Sequence, residues 1–146
     1  MRILVNSGLA IQAVAALSLA ATSLYGSVTI APEIGGPVQL SGTAGGDIRA
    51  TRFGNTSDGF CTGWIDATPN HVVTLDQPFE DLSFIVNAPS DTTLIVLGPN
   101  GTRCNDDASE DGHDPMIRGA WVAGDYRVYV GSYEEGQRIR YSLTLR

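Results

Sequence analysis

The chain has 146 residues, of which nine are basic and sixteen are acidic, so its formal net charge is −7. This length suits a single domain that buries its own hydrophobic core. The nine basic residues are scattered along the chain, whereas a nucleic-acid site needs clustered Lys and Arg to neutralise phosphates. The composition therefore argues against a nucleic-acid partner.

The N-terminus has the pattern of a secretory signal. Residues 3–31 contain no charged side chain and follow Arg2, and small residues near the end of the apolar stretch suit a signal peptidase. We therefore expect a signal peptide over residues 1–23 and a protein that is secreted or periplasmic, without membrane contact after cleavage. An uncleaved membrane anchor or a buried pair of strands would fit the same residues.

The chain has two cysteines, Cys61 and Cys104. Export would place them in an oxidising compartment, where an isolated pair most simply forms one disulfide bond. Neither cysteine lies in a Cys-x-x-Cys motif, which argues against a redox-active or zinc-binding role.

The remaining sequence predicts short strands. Residues 24–57 are rich in Gly, Ser and Thr and are expected to form a leader with one or two short strands near Val38–Ser41. Beyond the leader, β-branched or alternating apolar runs predict further strands at 71–75, 82–86, 92–97, 126–130 and 138–146. After the signal, no window keeps a helical period. We therefore predict an all-β antiparallel sandwich of about seven to nine strands with one disulfide.

For two of these strands, the sequence also predicts which faces are buried. Residues 92–97 form a continuous apolar run, which indicates burial on both faces. The strand at 126–130 alternates, and this predicts three inward-facing apolar side chains and two outward-facing side chains, Arg127 and Tyr129.

An acidic loop follows the strand at 92–97. Its sequence, "CNDDASEDGHDP" at 104–115, holds five carboxylates, which repel one another unless solvent or a cation screens them. Calcium binds six to eight oxygen ligands of this kind, but a solvated surface loop has the same composition. The EF-hand pattern does not fit, because counting from Asp107 puts Arg118 where a bidentate Glu is required.

The sequence also resembles a known family. The blocks "CTGWIDATPNHVVTLDQPFEDLSFIV", "DTTLIVLGPNGTRCNDD", "DPMIRGAWVAGDYRVYVGSYEEG" and "YSLTL" are similar, in order and spacing, to the bacterial pre-peptidase C-terminal (PPC) domain family. The resemblance covers roughly residues 58–146. It implies a jelly-roll-like sandwich in a secreted bacterial protein, a non-catalytic role and, in some relatives, calcium binding. On the positions that match, it implies the ligands Asp91, Asn105, Asp106, Asp107 and Asp114.

These observations favour a non-catalytic accessory or interaction module that binds Ca²⁺ through its acidic loop. No peptidase domain accompanies the matching blocks, so the resemblance gives no neighbouring catalytic unit to assist. The alternative is an adhesion module that binds a polysaccharide or an extracellular matrix protein through an aromatic face of the sandwich. The residues expected on that face are Arg127, Tyr129 and Tyr133.

The sequence gives little support for an enzyme. His71 and His113 are the two histidines; His71 begins a strand and is interpreted as a rim or surface residue, and His113 lies within the acidic loop. No Gly-x-Ser-x-Gly motif is present. Paired carboxylates that hydrolyse glycosides stay open, since acidic residues are plentiful and nothing singles out a pair.

Overall fold

The computed structural model describes residues 26–30, 36–108 and 112–146. The predicted signal peptide at 1–23 lies outside the described residues. Within them, no helix is long and apolar enough to cross a membrane.

The described residues form short strands and one four-residue 3₁₀ helix, Ala50–Phe53. In chain order the strands are β1 Gly26–Ile30, β2 Val38–Ala44, β3 Ile48–Arg49, β4 Asn55–Thr56, β5 Gly59–Phe60, β6 Trp64–Ile65, β7 His71–Leu75, β8 Phe79–Asn87, β9 Thr92–Gly98, β10 Gly101–Asn105, β11 Met116–Trp121, β12 Gly124–Ser132 and β13 Ile139–Leu145.

The strands form two sheets that face each other. The larger sheet has the order β10-β9-β12-β6-β3, and β7 joins it by pairing with β12. The smaller sheet has the order β11-β8-β13-β2, and β4 pairs with β5 in a separate hairpin. The ladders are antiparallel except that of β1, which runs parallel to β7. The predicted all-β antiparallel sandwich is confirmed.

The main core lies between the two sheets and is closed at one end by Trp121. The Trp121 ring packs on Phe84 and Tyr126, with centroid distances of 4.6 and 5.3 Å, and the Arg103 guanidinium lies 4.2 Å from its centroid on the outside. The indole Nε1 donates a hydrogen bond to the Leu82 carbonyl at 2.8 Å. An aromatic ring of this size fits the sandwich end because its one polar group is bonded.

A second, smaller core lies on the outer face of the larger sheet. Residues 92–96 of β9 are all buried, as predicted for a strand covered on both faces, and Ile95 points into this second core. The segment 48–65 covers it, held by the Cys61–Cys104 disulfide and by an ion pair of 2.7 Å between Arg103 and Asp58. The predicted disulfide is therefore confirmed.

The cover corrects the expectation for Tyr129. Its side chain does point to the outer face of β12, as the alternation predicted, but it is only 8% exposed. Phe53 of the 3₁₀ helix packs against it with a ring-centroid distance of 5.9 Å. The prediction that Tyr129 is exposed is wrong because Phe53, a residue assigned to the leader, packs over this face together with the rest of the segment 48–65.

The sandwich also extends upstream of residue 58, where the sequence predicted it to begin. Strand β2 pairs with β13 along its full length, from Val38 opposite Leu145 to Ala44 opposite Ile139, and Leu40 of β2 is buried in the main core. The short strand predicted near Val38–Ser41 is thus an edge strand of the smaller sheet.

A polar pair, His71 and Tyr141, is buried inside the sandwich. His71 is 1% exposed, so its interpretation as a rim or surface residue is wrong. Its Nε2 lies 2.7 Å from the Tyr141 hydroxyl, and Gly42 leaves room for that hydroxyl, which a Cβ there would meet. Burial lowers the pKa of His71 from 6.5 to about 4, because removal from water disfavours the charged imidazolium.

The disulfide gives a first prediction. Replacing both Cys61 and Cys104 with alanine should lower the free energy of unfolding by about 4 kcal/mol, because a loop of this length restricts the unfolded chain. Urea denaturation of the wild type and the double variant measures the difference. A reducing agent should destabilise the wild type and leave the double variant unchanged; equal midpoints without reductant would contradict the prediction.

The buried histidine gives a second prediction. Since the pKa of His71 is lower in the folded than in the unfolded chain, the unfolded chain binds more protons between about pH 6.5 and pH 4. The contribution of His71 to the free energy of unfolding is therefore intact above about pH 6.5. It falls as the pH is lowered, by up to roughly 3 kcal/mol at pH 4. In His71→Gln, the thermal midpoint should fall less steeply over this interval. Parallel curves for the two proteins would show that His71 does not cause the acid sensitivity.

Candidate functional site

The acidic loop folds back against the start of strand β9. Antiparallel pairing places Leu94 of β9 opposite Asn105, the last residue of β10, so the chain before β9 lies next to the chain after β10. The far side of the loop is fixed by backbone hydrogen bonds, from the Thr92 amide to the His113 carbonyl at 3.3 Å and from the Val86 amide to the Pro115 carbonyl at 3.0 Å. Residues distant in sequence therefore meet at one end of the sandwich.

Three side chains of this end converge. One ligand atom from each of Asp91, Asp107 and His113 lies within 4.8 Å of the other two, and His113 Nδ1 is 3.8 Å from Asp91 Oδ2. Asp91 Oδ1 is buried and meets no hydrogen-bond partner among the described residues. A buried carboxylate oxygen without a partner is energetically costly, so the site favours a cation or a proton near Asp91.

The electrostatics of the site centre on Asp91. Burial raises the pKa of its carboxyl, the neighbouring charge of Asp107 raises it further, and Asp106 and Glu134 add to the effect. His113 acts in the opposite direction. Like charges near a partly buried carboxyl disfavour its ionised form, and a bound cation would remove that cost.

Two of the residues expected as ligands are engaged elsewhere. Asn105 accepts a hydrogen bond from the Met116 amide at 3.2 Å and donates one to the Asp58 carbonyl at 3.3 Å. Asp114 accepts bonds from the Ala88 amide at 3.1 Å and the Asn87 side chain at 3.2 Å. Of the five predicted ligands, the structure thus brings Asp91 and Asp107 together, and the charge of Asp106 acts on Asp91 from nearby. Asn105 and Asp114 instead bond to the neighbouring chain.

Sequence reasoning did not include two residues of the site. His113 was considered for catalysis and not for the cluster, and Glu134 was not considered. Strand pairing could have placed Glu134, since Ser132 lies opposite Thr92 and the Tyr133 amide donates a hydrogen bond to the Asp91 carbonyl at 3.1 Å. The register between β9 and β12 therefore contained the information that Glu134 lies near Asp91. His113 is on no strand, and its place in the loop was the one signal for it.

The proposed aromatic face is not assembled as expected. Arg127 is exposed and Tyr133 is 46% exposed, but the ring between them in sequence, Tyr129, lies under the segment 48–65. Arg127 is paired with Leu97 near one end of β12, and Tyr133 follows its other end. The three residues do not form one continuous platform.

Comparison with other sequences places the chain in a family. No family model matches the chain. An uncharacterized protein of Synechococcus elongatus is 35% identical over 151 residues, which span 99% of this chain and 98% of that protein. The chain belongs to the same family as this Synechococcus protein.

The fold has a counterpart among solved structures. The pre-peptidase C-terminal domain of a collagenase from Bacillus anthracis aligns with 84% of this chain and 96% of its own, with a TM-score of 0.50 and 13% identity. A periplasmic inhibitor of g-type lysozyme from Aeromonas hydrophila aligns less well, with a TM-score of 0.45 and 17% identity over 82% of this chain and 93% of its own. The predicted PPC-like fold is confirmed.

The hydrogen bonds of Asp114 give a third prediction. Asp114→Ala should lower the free energy of unfolding by about 1 kcal/mol, because it leaves the Ala88 amide and the Asn87 side chain without their acceptor. The loss should be the same in calcium and in chelator, as measured by urea denaturation. A loss seen only in calcium would instead make Asp114 a ligand.

Proposed function

We propose that this protein is a non-catalytic β-sandwich module that works outside the cytoplasm and holds a calcium ion at its acidic end. The convergence of Asp91 and Asp107, with one buried Asp91 oxygen left without a partner, is the observation that carries the proposal. The N-terminal pattern and the disulfide, which suits an oxidising compartment, support the location. The PPC-like fold supports an accessory role.

The side chains present fit calcium in part. Asp91 and Asp107 offer carboxylate oxygens within 4.8 Å of each other, and Asp106 is near enough to affect the pKa of Asp91. Calcium takes six to eight oxygens, so backbone carbonyls or water would complete its shell. We therefore narrow the ligand set to Asp91, Asp106 and Asp107, with Asn105 and Asp114 positioning the loop that carries two of them.

The ion would act on this module through stability. Binding to the folded chain alone adds a free energy that grows with ligand concentration, about 2.7 kcal/mol at a hundred times the Kd. Calcium would offset the repulsion among the carboxylates and fix the loop between β10 and β11.

The calcium site gives a fourth prediction. Millimolar calcium should raise the thermal midpoint of the wild type and have little effect on Asp107→Asn. In chelator, Asp107→Asn should be at least as stable as the wild type, because it removes a charge that repels Asp91. The measurement is differential scanning calorimetry of both proteins with and without calcium.

Asp76→Asn is the matched control, since Asp76 is also exposed but lies outside the cluster. This variant should keep the full calcium response. A wild type whose midpoint does not respond to calcium, or an equal response in all three proteins, would remove the calcium site from the proposal.

A further inference from the structure

A broad groove lies on the outside of the smaller sheet and borders the acidic end at Asn87 and Ala88. It has a volume of about 1020 Å³, and its walls come from strands β2 and β13 and from the loops at 66–70 and 87–89. Gly42 and Tyr141 also border it, although the Tyr141 side chain points into the main core, where its hydroxyl is bonded to the buried His71. The groove is therefore built on a fixed part of the sandwich.

The floor carries a continuous patch of outward-facing polar side chains across three strands. In one row, Ser142 of β13 lies opposite both Ser41 of β2 and Asn87 of β8. In the next row, Arg140 lies opposite Thr43. Directly paired residues share a face and have Cβ atoms roughly 5 Å apart, so these five side chains form one surface.

The patch is positively charged in an acidic protein. Arg138 and Arg140 both line the groove, against one acidic residue, Asp66. Arg138 is held in place by Asp66, 3.1 Å away, and by the Gly45 carbonyl at 2.9 Å. Arg140 is exposed and forms no ion pair with any described residue, so its guanidinium is free to bind an anion. Guanidinium groups bind carboxylates through two parallel hydrogen bonds.

The walls indicate what kind of anion fits. The hydroxyls of Ser41, Thr43 and Ser142 donate no hydrogen bond within the described chain, so they are available to a ligand. The apolar groups that line the groove, apart from the buried Tyr141, are alanines and prolines, so the groove has no pocket of large apolar side chains for a hot-spot residue of a protein partner. A chain of sugar rings with carboxylates satisfies both the hydroxyl groups and the arginines.

We propose that this groove binds an acidic polysaccharide, with Arg140 receiving a uronate carboxylate and the serine and threonine hydroxyls receiving the ring hydroxyls. The inference does not rest on the calcium site, because Asp91 and Asp107 do not line the groove. The two surfaces share only the loop after β8, which carries Ala88 and Pro89 of the groove and Asp91 of the calcium site. It also differs from the aromatic face predicted from sequence, since Arg127, Tyr129 and Tyr133 do not line the groove.

The test is titration calorimetry of the full folded chain with polygalacturonate in chelator, so that no divalent cation bridges the two. Arg140→Gln should weaken binding by at least about tenfold, the loss of one charge-assisted contact. Arg127→Gln is the matched control, because Arg127 is also exposed and also forms no ion pair with a described residue, and it should bind as the wild type does. Absence of binding, or equal weakening by both variants, would overturn the proposal.

Two further ligands test the sugar assignment. Neutral dextran should not bind, and polyglutamate should bind more weakly than polygalacturonate. Ser142→Ala should weaken polygalacturonate binding several-fold and leave any polyglutamate binding unchanged. If polyglutamate binds as tightly and Ser142→Ala has no effect, the groove recognises carboxylates alone and the polysaccharide is wrong. Asp107→Asn should not change polygalacturonate binding, so this result is independent of the calcium experiment.

Discussion

Strand β9 is buried on both of its faces, and this constraint organises the molecule. Leu94 and Val96 lie in the core between the sheets, while Ile95 points to the other side. A strand of this kind needs apolar side chains packed against each of its two faces. The outer face is covered by residues 48–65, whose strands β3 and β6 are only two residues long. Such short ladders contribute little to the stability of this segment. The disulfide and the Arg103–Asp58 ion pair therefore hold it in place.

The same strand determines where the candidate sites lie. Because β9 pairs with β10 on one side and β12 on the other, the residue before it, Asp91, meets the acidic loop. The two sites are also joined at one point. Asn87 lines the groove and donates a hydrogen bond to Asp114 of the acidic loop, so the loop at 87–89 borders both surfaces.

Much of the sandwich could be predicted from sequence, because its central strands alternate or are uniformly apolar. The strands at 71–75, 82–86 and 92–97 lie within β7, β8 and β9. Strands β10 and β11 were not predicted, since "GTRCN" and "MIRGAW" have neither pattern. In β11 the register also shifts between Gly119 and Trp121, which further obscures a period of two.

The site was less predictable than the fold, for a physical reason. Composition identified a loop rich in oxygen ligands, but not which of them the main chain would use. Asp114 is engaged by the amide of Ala88, 26 residues earlier, and only tertiary structure brings the two together. Tyr129 was misjudged for a similar reason, since the alternation of a strand does not reveal what packs on its outer face. His71 lies instead on the inner face of β7, on the same side as Val73 and Leu75.

The segment 48–65, which packs on the outer face of the larger sheet, affects how the chain behaves before its disulfide forms. Until Cys61 and Cys104 are oxidised, the segment that shields Ile95 and Tyr129 has no covalent link to the larger sheet. It is then held by the packing of the second core and the Arg103–Asp58 ion pair alone, and opens more readily. A newly made, reduced molecule would then show an apolar strip on an otherwise finished sandwich, and such strips associate with one another. The time that the disulfide takes to form is therefore the period in which the protein would be most prone to aggregate.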